Sequence, residues 1–153
     1  MNRLVARLVA GLVLCTVHLA ALAQSQGAPA GWQSVRDAAG HCQLSVPKDW
    51  TLESEGLPGA AKEGTTYSAH FFPVLAQTTF AQARDQAKQA WSAKKGFTVI
   101  EESDKRAVYR FTNAGAAQWT VIVGSSPVCQ ASVMGPQADD ATAVQVVQSL
   151  TAK

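Results

Sequence analysis

FTVIEESDKRAVYRFTNAGAAQWTVIVGSSPVCQASVM, residues Phe97 to Met134, holds four apolar runs with only short polar breaks between them. The runs are Phe97 to Glu102, Arg106 to Thr112, Gln118 to Gly124 and Val128 to Met134. Ser103-Asp104-Lys105, Asn113-Ala114-Gly115 and Ser125-Ser126-Pro127 separate them, and such residues make turns. Parallel neighbours need a crossover of about a dozen residues or more, so strands joined this closely pair antiparallel. The stretch therefore predicts an antiparallel meander.

Two helices frame it. Upstream, Thr79 with Gln82 forms a capping box. Phe80, Ala83, Ala87, Ala90 and Trp91 share one helical face, Lys94 and Lys95 close the helix, and Gly96 suits a left-handed cap. Downstream, Asp139 or Asp140 caps a last helix whose inner face is Ala143, Val144, Val147 and Leu150. Nearer the start, Trp32 to Asp37 and Cys42 to Pro47 read as a hairpin around Ala38-Ala39-Gly40, with Cys42, Leu44 and Val46 on the core face. Pro47-Lys48-Asp49-Trp50 turns the chain, Glu53 to Gly64 reads as a loop, and Thr65 to Phe72 is a third strand. The order β-β-β-α-β-β-β-β-α predicts an α+β fold, an antiparallel sheet of about six to seven strands with two helices packed on it.

With Asp37-Ala38-Ala39-Gly40 leading into Cys42-Gln43-Leu44-Ser45-Val46-Pro47-Lys48-Asp49-Trp50, and strand, helix, meander and helix following, the chain resembles the PsbP-like group. That group includes the DcrB-type bacterial envelope proteins. The resemblance covers most of Trp32 to Lys153 and implies an α/β/α sandwich with a binding or accessory role. The cysteine pair is a departure from the group.

Ahead of this domain, Arg3 and Arg7 precede an apolar run from Leu8 to Leu22, which ends in Ala21-Leu22-Ala23. A basic start, a short apolar core and a small-x-small end describe a cleavable signal peptide over Met1 to Ala23. The run is too short for a spanning anchor. Lipidation at Cys15 would need a small residue where Leu14 stands, and the residues after Cys15 stay apolar. Residues 24–31 then read as a flexible tail, and 32–153 as one domain.

Cleavage changes two counts. The chain has 13 basic and 11 acidic residues; Arg3 and Arg7 leave with the leader, so the remainder is neutral. No positive field is left to gather phosphates, which argues against nucleic acid as a partner. Of 3 cysteines Cys15 also leaves, and Cys42 with Cys129 forms an even pair in an oxidising compartment. A Cys42–Cys129 disulfide is expected on compartment and parity, and the wide spacing fits no CxxC redox motif.

Motifs for chemistry fail on their own geometry. Gly59 to Thr66 has the glycine spacing of a phosphate loop, but Thr65 stands where the lysine belongs. Gly124-Ser125-Ser126-Pro127 is a turn and not a nucleophile elbow. His41, Cys42, His70 and Cys129 would all have to converge to hold zinc, in a spacing that matches no finger pattern, and no metal or cofactor is expected. Asp139-Asp140 reads as a helix cap, and Glu101-Glu102 as part of a solvated hairpin tip. Trp91 and Trp119 fit buried positions. Trp50 sits at a strand-turn boundary, and with His70 and the 53–64 loop it marks where a binding site is expected.

The chain is therefore expected to be an exported, periplasmic or secreted, non-enzymatic binding or accessory protein of the bacterial envelope, with an unidentified protein or small-molecule partner. No stable membrane anchor is expected once the leader is removed. The alternative is a small envelope hydrolase that uses His70 with a nearby serine or acid.

Overall fold

The computed structural model describes residues 28–153. The leader, its cleavage site and Cys15 lie outside the described residues. In chain order the elements are β1 (Trp32–Arg36), β2 (Cys42–Pro47), β3 (Thr51–Glu53), β4 (Gly59–Ala61), β5 (Ser68–Phe72) and α1 (Phe80–Trp91). Then come β6 (Thr98–Glu102), β7 (Arg106–Asn113), β8 (Ala116–Val123), β9 (Cys129–Gly135), α2 (Ala141–Gln148) and β10 (Thr151–Ala152). The fold is α+β, and every strand pairing in it is antiparallel.

The strands do not form one sheet. A seven-stranded sheet runs β3-β4-β5-β9-β8-β7-β6, and a separate three-stranded sheet runs β1-β2-β10. The meander is as expected: β6 to β9 are consecutive neighbours. Alternation then splits the large sheet into two faces. Val108, Trp119, Val121, Val123, Ala131, Val133, Phe71, Ala69 and Ala60 point into the larger core. Val35, Leu44 and Val46 of the small sheet and Ala143, Val146 and Val147 of α2 close that core. Ala107, Tyr109 and Ile122 point the other way and are covered by Phe80, Ala83 and Ala87 of α1.

The two caps behave as their chemistry requires. Thr79 and Gln82 exchange both capping-box hydrogen bonds, and Asp140 Oδ1 accepts from the Ala143 backbone N–H at 2.8 Å. Helix α1 stops earlier than its pattern suggests. Ser92 is its C-cap, and Lys94, Lys95 and Gly96 form a turn in which Gly96 has a φ of +70°. The stacking of Trp91 on Phe111, with ring centroids 4.8 Å apart, fixes that end of the helix against β7.

The Glu53 to Gly64 stretch differs most from expectation. It contains Glu53 at the end of β3 and the whole of β4, so much of the expected loop is a hairpin. Three-residue strands rich in Gly and Ala carry no readable alternation. The disulfide joins Cys42 of β2 to Cys129 of β9 across 87 positions of sequence. It bonds the small sheet to a central strand of the large one, with both cysteines buried. Among the described residues, no helix is long and apolar enough to cross a membrane.

Candidate functional site

Helix α1 packs on β7 and β8, so it covers only part of its face of the large sheet. On the remainder of that face, register places Glu53, Gly59, His70 and Ser132 in one row across β3, β4, β5 and β9. Gly59 makes the row possible. A Cβ there would collide with the His70 ring, and also with the Ala69 carbonyl oxygen. With no side chain at Gly59, the imidazole passes over β4 and reaches Glu53 beyond it. The His70 Nε2 to Glu53 Oε2 distance is 2.6 Å.

This rotamer decides what His70 serves. Its ring turns toward β3, away from β9, where its register partner Ser132 stands. Ser132 Oγ instead accepts from Gln118 Nε2 at 2.7 Å, and Asn113 Nδ2 donates to Gln118 Oε1 at 2.7 Å. No hydrogen bond joins His70 to Ser132 among the described residues. Among the described residues, the face thus pairs an acid with an imidazole, and that imidazole makes no hydrogen bond to a hydroxyl of the kind that activates a nucleophile. What the pair does physically is fasten the β3–β4 hairpin to β5.

Trp50 is placed differently from its expected role. It is 3% exposed and belongs to the main core, where its ring packs on Tyr67 with centroids 5.4 Å apart. Tyr67 in turn donates to Asp140 Oδ2 at 2.8 Å, and this bond holds the Tyr67 phenol above its ordinary pKa. The Trp50 carbonyl oxygen accepts from Gln33 Nε2 at 2.7 Å. The Trp50 indole is therefore a joint between the two sheets and offers no platform to solvent.

The surface near Trp50 is nonetheless shaped. A shallow recess of about 380 Å³ opens between the edge of the small sheet and the β3–β4 hairpin. Ser34, Val35 and Arg36 line one wall, and Leu52, Glu53 and Ser54 the other. Glu53 is shared between this recess and the His70 pair. Lys62 and Asp49 bridge at 2.8 Å on the outside of the same hairpin. Their mutual hydrogen bond lowers the carboxyl's pKa and raises the ammonium's.

Cys42 and Cys129 are consumed by their disulfide, which removes them from any metal set with His41 and His70. Among the described residues, no group of three or more His, Cys, Asp or Glu side chains could hold a metal ion. The sequence singled out His70 and the 53–64 loop that holds Glu53 and Gly59, but not these two residues within it, because their convergence on His70 depends on strand register. Comparison with protein-family models and with curated proteins finds no match.

Proposed function

We propose that this chain is an exported, non-enzymatic binding or accessory protein of the bacterial envelope, with its partner surface on the side of the domain that carries β1, β3 and His70. The observation that carries the reading is the buried Cys42–Cys129 bond between the two sheets. Disulfides form and persist in oxidising compartments, so a brace of this kind suits a protein that works outside the cytosol. The leader read at Met1 to Ala23 supplies the route. A mature chain that is formally neutral suits a protein or small-molecule partner better than a polyanion. The accessory role comes from the PsbP-like resemblance of the sequence over Trp32 to Lys153.

The test is intact-mass measurement of the protein produced with its own leader in a bacterial host and recovered from the envelope fraction. The expected mass is that of a chain beginning at Gln24, lighter by two hydrogens for the disulfide. A retained leader, a lipid on Cys15 or free thiols would overturn the reading.

A further inference from the structure

We propose that the open edge between β1 and β3 is a docking site for an extended, acidic and apolar peptide segment of a partner protein, which adds a strand to β3. The proposal rests on the binding-protein reading and gives it a site and a partner class.

Three observations converge on this edge. First, β1 and β3 are both terminal strands of their sheets, and both border the same recess. Consecutive residues line each wall, so backbone groups as well as alternate side chains meet the opening. Unpaired strand N–H and C=O groups are satisfied most fully by another extended backbone.

Second, Leu52 is the register partner of Ala60, a core residue, and so projects to the core side of its sheet. It is nevertheless 52% exposed, and among the described residues no strand lies beyond it. An added strand would send an inward side chain into the recess, against Leu52 and Val35. The sandwich is one strand short at this edge, and an apolar side chain fits the gap.

Third, the charge at the recess is uneven. Glu53 is engaged by His70 at 2.6 Å, whereas Arg36 has no acidic partner among the described residues. Arg36 thus presents a cation without an ion-pair partner to the opening, and a carboxylate on the incoming segment complements it. The opposite edge of the large sheet is protected differently. There β6 carries a bulge between Val99 and Glu101, and its two glutamates are ion-paired to Arg106 and Lys88. Bulges and charges are the usual defences of a free edge; β3 has no bulge, and its one charge is turned to His70.

The experiment titrates the ¹⁵N-labelled mature protein with a capped octapeptide of alternating glutamate and valine. Expected are amide shifts centred on Thr51–Ser54 and Ser34–Arg36. Binding should weaken at least about tenfold on Leu52→Asp, and about fivefold on Arg36→Glu. A peptide N-methylated at alternate amides should not bind, because it cannot complete the ladder. Both substituted residues are exposed, so the variants keep the fold, which the rest of the spectrum verifies. Equal binding of the N-methylated peptide, shifts centred elsewhere, or no shifts at millimolar peptide would overturn the proposal. So would a dimer of the protein alone that Leu52→Asp dissolves, since a second copy would then own the edge. The intact-mass result is independent of these outcomes, so failure of the edge and failure of the export reading are told apart.

Discussion

Thr120 lies at the centre of β8 with 0% exposure, and its hydroxyl has no hydrogen-bond partner among the described residues. Its register partners, Tyr109 and Ser132, both have polar tips, but those tips are committed elsewhere: the Tyr109 hydroxyl to Glu102, and Ser132 Oγ to Gln118. A buried hydroxyl without a partner costs the desolvation of that group, about 1–3 kcal/mol. Valine has the same branched shape and suits a strand. Thr120→Val is therefore expected to stabilise the domain by about 1 kcal/mol, read as a higher urea midpoint with an unchanged slope. A lower midpoint would mean that the hydroxyl has a partner after all. Gly59 is the converse case, a residue that matters through the side chain it lacks, since the His70–Glu53 bridge passes through the space a Cβ would fill.

At the scale of elements, Glu102 ties three of them together. Its carboxylate on β6 accepts from Lys88 of α1 at 3.0 Å and from the Tyr109 hydroxyl of β7 at 3.0 Å. The Lys88 bond first, and then the Tyr109 bond, hold this carboxyl below its ordinary pKa of 4.5. A carboxyl whose pKa is depressed on folding contributes stability that is fully present above the unfolded value. That contribution is lost as pH falls through the lower folded value. Glu102→Gln should therefore flatten the acid arm of the stability profile below the ordinary carboxyl pKa, followed as urea midpoints at stepped pH. An unchanged acid arm would place the titrating brace elsewhere. The elements of this corner were legible in the sequence: the meander, the Thr79–Gln82 capping box and the Trp91 face all follow local periodicity. The β3–β4 hairpin was not, because Thr51–Glu53 and Gly59–Ala61 are too short to show a period and are flanked by Gly56 and Pro58. The division into two sheets was hidden for a related reason. The hairpin of β2 with β1 was legible, but nothing local in Cys42–Pro47 says that its other neighbour is β10, with Thr151 opposite Gln43. The candidate site inherits both gaps, since Glu53 reaches His70 only once that hairpin and its register exist, and Trp50 is buried only once Tyr67 folds over it.

For the molecule as a whole, the weakest junction is between the two sheets. The large sheet is a continuous ladder of seven strands, with eight-residue strands β7 and β8 paired along their whole length. The small sheet has three strands, one of them the two-residue β10. It is held to the rest by packing in the shared core, by the Gln33 and Ser149 hydrogen bonds, and by the Cys42–Cys129 bond. Closing a loop of 87 positions removes a large share of unfolded-chain entropy, about 4–5 kcal/mol on the chain-entropy account. Total stabilities of domains this size run to about 5–15 kcal/mol, so the bond is a sizeable part of the whole. The paired Cys42→Ala and Cys129→Ala variant should lose about 2–5 kcal/mol, measured by urea unfolding without reductant. The loss should also have a location. Amide exchange in β1, β2 and β10 should quicken well before exchange in β7 and β8, because the small sheet has few hydrogen bonds of its own and the meander does not depend on the bond. Uniform quickening across both sheets would show instead that the domain opens only as one unit. The local outcome would make the disulfide the brace that keeps β1 opposite β3, and with it the shape of the recess between them.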